Sequence, residues 1–188
     1  MKIIKFYVLL FCTLFFFHYS VAMSNEEASY EIVTKNKVYE IRKYSDRLAV
    51  ETFSSVQNSN FRKLFKYISG RNEKNEKIKM TTPVTQIEKN GIMTMQFYLP
   101  SKFNKNSAPN PIIEDVKLVN IEGGYYAVLR YSGRASDKNF IKYKEILQNE
   151  LVKNNISIIS QPIRATYDSP YTLPMNRRNE AMFKVELN

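Results

Sequence analysis

The one imidazole and the one thiol in this sequence, the usual general base and soft metal ligand of active sites, are His18 and Cys12, and both fall within the first 22 residues. The rest of the chain has neither imidazole nor thiol. Without them no Ser-His or Cys-His pair forms, and no metal site built on His or thiolate. Carboxylates alone can run glycoside hydrolysis, but that needs one acid in an apolar setting that raises its pKa. No Asp or Glu is expected in such a setting here. The five glycines (Gly70, Gly91, Gly123, Gly124 and Gly133) make neither a phosphate loop nor a dinucleotide fingerprint. The sequence is therefore read as that of a binding protein, with no catalytic residue and no metal ligand assigned.

Two segments carry the chemistry of binding. Lys79-Met80-Thr81-Thr82-Pro83-Val84-Thr85 reads as a strand entry with Pro83 at an edge or bulge. Tyr167 to Glu180 reads as a long, proline-stiffened loop that presents Tyr171, Leu173 and Met175, with Arg177 and Arg178 close behind. Apolar side chains beside fixed cations suit an amphiphilic acid. The same arginines also suit pairing with Asp or Glu inside a packed loop.

Those segments need a scaffold, and the hydrophobic pattern supplies one. Tyr30–Thr34, Val38–Lys43 and Leu48–Phe53 are short, β-branched and aromatic runs parted by polar turns, which predicts strands. Phe61, Leu64, Phe65 and Ile68 fall at i, i+3, i+4 and i+7 and predict a helix with one apolar face, capped by Asn58 or Ser59 and stopped by Ser69-Gly70. Asn90-Gly91 predicts a type I′ hairpin between two strands, and Met93, Met95, Phe97 and Leu99 form the apolar side of the second. Pro100–Asp115 is a polar connector. After it the order returns: strands at Val116–Ile121 and Tyr125–Tyr131, a helix opening at Ser136-Asp137 with Phe140, Tyr143, Leu147 and Leu151, then strands at Ile156–Tyr167 and Ala181–Leu187.

The recurrence is also visible residue by residue. Ala49–Ser54 matches Ala127–Ser132 at an offset of 78, while Phe61 matches Phe140 and Pro83-Val84 matches Pro162-Ile163 at 79. This predicts an α+β fold of duplicated β-α-β-β units, pseudo-repeats at about 30–100 and 116–188. Together they form a distorted antiparallel β-barrel with two flanking helices and a cleft at the seam.

With Tyr39-Glu40-Ile41-Arg42 and Phe65-Lys66-Tyr67-Ile68-Ser69-Gly70 added, Lys79–Thr85 and Arg177-Arg178-Asn179-Glu180 resemble the SOUL haem-binding protein family. The likeness runs from about Tyr30 to Leu187. It implies the duplicated fold, shared with effector-binding domains of multidrug-sensing regulators. It also implies non-covalent binding of haem or another tetrapyrrole in a shallow apolar cleft between the first helix and the loop before the last strand. Carried over by position, Phe61, Phe65 and Lys66 come from the helix and Tyr171, Leu173 and Met175 from the loop, with Lys66 meeting a propionate. Some members use an axial His, and residues 23–188 offer none. Met80, Met175, Tyr171 and Tyr167 are the side chains left that ligate iron in principle.

The first residues predict export. Lys2 and Lys5 precede an apolar run, Phe6–Phe17, and Ser20-Val21-Ala22 supplies a cleavage pattern. Residues 1–22 then form a signal peptide, and 23–188 a single domain in the periplasm or outside the cell, with no stable membrane insertion after cleavage. Loss of the two lysines lowers the formal net charge from +10 to +8. The basic residues are scattered rather than gathered in a groove, so no nucleic acid is expected as a partner. Asn155-Ile156-Ser157 is a glycosylation sequon in a eukaryotic secretory route. The functional expectation is an exported carrier or scavenger of haem or a similar flat amphiphile. An interaction module without a ligand, or less plausibly a tetrapyrrole enzyme, are the alternatives.

Overall fold

The computed structural model describes residues 25–54 and 57–187. The expected signal peptide, with Cys12, His18 and the cleavage site, lies outside the described residues. From Asn25 onward the strands are β1 (Glu26–Glu27), β2 (Tyr30–Lys35), β3 (Glu40–Tyr44) and β4 (Arg47–Ser54), followed by helix α1 (Gln57–Ile68). Next come β5 (Thr81–Thr82), β6 (Val84–Lys89), β7 (Ile92–Tyr98), β8 (Val116–Ile121) and β9 (Gly124–Tyr131). Helix α2 (Asp137–Lys153) then leads to β10 (Ser157–Ile158), β11 (Ile163–Thr166), a 3₁₀ turn (Pro174–Asn176) and β12 (Asn179–Glu186).

Local chemistry accounts for several of these boundaries. Asn90 and Gly91 both have positive φ, 53° and 75°, as a type I′ turn requires. Ser136 caps α2 by accepting from the Asn139 N–H. The first helix starts at Gln57, so Asn58 and Ser59 lie inside it rather than at its cap. The expected strand Ile156–Tyr167 is two short ones. Pro162 has no N–H to give to a ladder, and the chain crosses Ser160–Pro162 without pairing before β11 begins.

One antiparallel sheet runs in the order β2-β3-β9-β12-β11-β6-β7-β4-β8, with β10 attached to β12. The order from β3 to β8 is a palindrome of the two halves. Within each, the α–β–β strands close on the strand before the helix, as β6-β7-β4 and β11-β12-β9. The preceding strands are exchanged: β3 pairs with β9 and β8 with β4. The halves meet where β6 pairs with β11, Val84 opposite Thr166 and Ile87 opposite Ile163. This is the duplicated fold expected from the sequence, and the barrel is an open one, a curled half-barrel. Pro83 lies between β5 and β6, at the entry to a strand paired on both sides, not at a sheet edge.

The residue matches that revealed the duplication are not all in structural register. Val50 packs beneath α1, whereas Val128, 78 positions on, lies on the face away from the helices. Strand side chains alternate faces, so an even offset between β4 and β9 puts equivalents on opposite sides. Val84 and Ile163 likewise sit on opposite faces. The topology of the duplication is preserved more strictly than its side-chain register.

Both helices lie on one side of the sheet, each over its own core. Under α1, Leu64, Tyr67 and Ile68 meet Val50, Met95, Phe97 and Leu99. Under α2, Leu147 and Leu151 meet Ile41, Ala127, Leu129, Ala181 and Phe183. A third cluster, Tyr44, Tyr126, Val128, Ala165 and Met182, covers the opposite face.

Candidate functional site

Helix α1 has two apolar faces rather than the single one its periodicity predicts. Leu64 and Ile68 are core residues, joined by Tyr67, whose hydroxyl donates to the Pro109 carbonyl. Phe61 and Phe65 remain 43% and 49% exposed. Their rings stack at 6.1 Å, and Phe61 meets Phe97 edge-on at 5.2 Å. Spacing of four places them on one stripe, displaced from the stripe that faces the sheet.

Phe61 stands at the edge of a cleft of about 670 Å³ between α1, the sheet and the start of the loop after β11. Its floor is built from Val84 and Gln86 of β6, Met95 of β7, and Arg164 and Thr166 of β11. Met80 and Thr82 form one end, and Tyr167–Pro170 another. The floor exists because β6 and β11 pair at the seam, which brings Gln86 opposite Arg164 and Val84 opposite Thr166. Of the floor residues, Val84 lies in the Lys79–Thr85 segment singled out from the sequence, while Gln86, Met95, Arg164 and Thr166 were not found as site residues. Their signal was the face alternation of two short strands whose pairing no local pattern announces.

The loop from Tyr167 to Arg178 is braced along its length. The Tyr167 N–H donates to the Arg178 carbonyl, and the Arg178 N–H to Asp168 Oδ2. The Thr172 N–H donates to the Ser169 carbonyl, and the Gly133 N–H to that of Pro174. Arg177 turns its guanidinium onto the Thr172 and Pro170 carbonyls. Despite this bracing, Tyr171 is 95% exposed, and Leu173 and Met175 also face solvent. A well-held loop that leaves three large apolar side chains in water is a mark of a binding surface.

Of the six residues expected at the site, the structure stacks Phe61 with Phe65 and brings Phe61 to the cleft. Phe65, Lys66, Tyr171, Leu173 and Met175 lie outside the residues that line it. Lys66 is exposed, about 100° further round the helix than Phe65. Neither arginine of the loop is available as a ligand cation. Arg177 is engaged as above, and Arg178 pairs with Glu27 and Glu180 at 2.8 and 2.9 Å.

Glu180 is the one fully buried acid among the described residues, and its surroundings are cationic rather than apolar. It is 0% exposed, next to Ala181-Met182-Phe183 in β12. Its carboxylate accepts from Arg42 Nη1 at 3.1 Å, Arg178 Nε at 3.0 Å and the Tyr167 hydroxyl at 2.7 Å. Burial, with the Glu180 charge next to it, pushes the Tyr167 hydroxyl well above the ordinary tyrosine range. Arg42, also buried and held by Glu180, stays charged. Two guanidiniums facing one carboxylate make this a structural ion network rather than an acid poised for proton transfer. It also removes Tyr167 from the candidate iron ligands, because a phenol held neutral is a poor phenolate. Met80 is the one of those four side chains, apart from Tyr167, that lines the cleft.

The described residues contain no group of three or more His, Cys, Asp or Glu able to hold a metal ion. No helix among them is long and apolar enough to cross a membrane.

Comparison with known proteins adds a lineage to this geometry. The family model described as SOUL heme-binding protein matches residues 25–184. The chain is 31% identical to human heme-binding protein 2, over 76% of this chain and 75% of that one. It is 29% identical to the mouse heme-binding protein 2, over 86% and 84%. Among solved structures it resembles the C-terminal domain of EcmrR, with a TM-score of 0.61, 12% identity and coverage of 85% and 99%. It also resembles a hydrolase from Listeria innocua, with a TM-score of 0.57, 10% identity and coverage of 82% and 94%. At such identities the two structures share a fold with this chain and nothing more.

Proposed function

The chain belongs to the SOUL heme-binding protein family, and from that premise we propose that it binds haem, non-covalently, in the cleft bordered by Phe61. The observation that carries this reading is the exposed, stacked Phe61–Phe65 pair beside an apolar-walled opening of about 670 Å³. That size lies within the range of about 300–1,000 Å³ typical of small-molecule sites. Flat aromatic faces and adaptable methionines suit a planar macrocycle. The braced loop offers Tyr171, Leu173 and Met175 as a second wall, and Lys66 a cation for a propionate.

Residues 23–188 contain no His, so haem is held mainly by burial and ring contact, with Met80 and Met95 as the thioethers that line the cleft. Such attachment favours carriage or scavenging over oxygen chemistry, and no residue of the cleft is arranged for catalysis. We further propose that the chain works after export, on the strength of its first 22 residues. N-terminal sequencing of the exported protein should begin at or near Met23; full-length soluble protein in the cytosol would refute export.

The binding test is a haemin titration followed by absorbance. Lys66→Glu should weaken haemin and reduce the salt sensitivity of what remains, and Tyr171→Ala should cost roughly 1–3 kcal/mol of affinity. Both positions are exposed, so melting temperatures should hardly move. Unchanged haemin affinity in both folded variants would remove Lys66 and the loop from the site, and unchanged affinity in Phe61→Ala as well would remove the cleft.

A further inference from the structure

A second cavity, of about 300 Å³, lies where the N-terminal segment crosses the β3–β4 turn, and it shares only Thr82 with the cleft. Arg47, at the start of β4, lines it. The Arg47 guanidinium is clasped by two rings, 4.5 Å from the centroid of Tyr44 and 4.2 Å from that of Tyr98. Its Nε is buried and has no hydrogen-bond partner. The Tyr126 hydroxyl, which donates to the Glu122 carbonyl, lies within hydrogen-bonding reach of the guanidinium as a neutral polar neighbour. The buried Arg42 and Arg164 and the half-buried Arg178 are each held by a carboxylate, and the half-buried Arg177 by two backbone carbonyls. Arg47 has the rings without the acid.

We propose that this cavity is a binding site for a small monocarboxylate bearing a short apolar group, with the Arg47 guanidinium as its anchor. A guanidinium packed against two aromatic rings, with no carboxylate beside it, retains terminal N–H donors that a planar carboxylate can accept in pairs. Leu48, Leu99 and Phe103 supply an apolar wall for the remainder of the molecule. The two acids in the lining set the charge of the ligand. Glu26 accepts from the Ser101 N–H, and Asp46 from the Gly123 N–H and Asn120 Nδ2, so both are committed to the frame. Hydrogen bonds from Gly123 and Asn120 hold Asp46 below the usual carboxylate range, so it stays charged. Fixed negative charge in the wall opposes a phosphate dianion far more than a carboxylate monoanion.

The test is calorimetric titration of the full chain near neutral pH with benzoate and, separately, with inorganic phosphate. Benzoate should bind and phosphate should not. Arg47→Gln should weaken benzoate about tenfold or more, the scale of losing a charge-assisted hydrogen bond. Ser29→Trp, at the exposed mouth of the cavity, should block benzoate while leaving melting and haemin affinity unchanged. That variant decides the matter if Arg47→Gln fails to fold. Absence of benzoate binding, binding equal in the parent and Ser29→Trp proteins, or phosphate bound as tightly as benzoate would each overturn the proposal.

Discussion

The two ends of the seam are built from the same β-α-β-β unit and finished differently. At the α1 end, Phe61 and Phe65 stand exposed over an open cleft. At the α2 end, Phe140 takes the position matching Phe61, and the Arg164 guanidinium lies over its ring at 4.6 Å. Arg164 is in turn held by Asp137 of α2 at 2.7 Å. The residue matching Phe65 at the same step is Lys144. The α2 end has an opening of its own, of about 460 Å³, lined by Phe140, Ile141, Lys144 and Arg164. The ends therefore differ in their walls rather than in whether they are open: an exposed aromatic stack at one, a ring covered by an internal, carboxylate-held cation at the other.

The halves also differ on the helix-free face, and the largest expected effect lies there. The second half centres on the Glu180 network. At the matching place the first half has the neutral Gln96, which accepts from Thr85 Oγ1 and donates to Glu51. Glu180→Ala should cost about 3–5 kcal/mol, because Arg42 and Arg178 lose the carboxylate between them. Gln96→Ala should cost about 1–3 kcal/mol. Urea denaturation of both variants measures the contrast, and equal losses would erase it.

The next contrast tests the α1 end directly. Phe61→Ala should weaken haemin by roughly 1–3 kcal/mol with little loss of stability, since the ring is half exposed. Phe140→Ala should leave haemin affinity unchanged and lower stability instead. If Phe140→Ala weakens haemin as much as Phe61→Ala, both ends bind and the comparison fails.

Much of the scaffold behind this contrast was legible in the sequence. The Asn90-Gly91 hairpin, both helices and nearly all strands follow from turn chemistry and periodicity, which are local. The even and odd offsets show where local reading stops. Ala49–Ser54 and Ala127–Ser132 look alike as strings, yet a one-residue shift in register turns like residues to opposite faces. The cleft floor and the burial of Glu180 depend on the β6–β11 and β9–β12 pairings, which join residues far apart in the chain. Family resemblance proposed Phe61 and Phe65 for the site, and the structure leaves both rings about half exposed. Periodicity alone assigned them to the core with Leu64 and Ile68.

A smaller effect appears in alkali. Burial pushes the hydroxyls of Tyr44 and Tyr131 up to about 12, against 10.0 for a free tyrosine. Between pH 10 and 12 the unfolded chain releases these protons while the folded chain retains them. Stability is thus fully present below pH 10 and falls as pH rises, by at most about 1.4 kcal/mol per pH unit for each tyrosine. Tyr131 belongs to the core beneath α2 and Tyr44 to the opposite face. Tyr131→Phe and Tyr44→Phe should each flatten the slope, as denaturation at stepped pH would show, and an unaltered slope in both would exclude them as its source.

The exchange of β3 and β8 between the halves has a consequence for how the chain is made. A ribosome delivers residues in order, so β4 emerges long before β8, its neighbour, and β3 must await β9. β9 in turn lacks its other partner until β12 has followed α2 and β11. Neither unit completes its own sheet before strands of the other are made. The nascent first half carries unpaired strand edges across the whole Pro100–Asp115 connector, the condition under which chains associate wrongly.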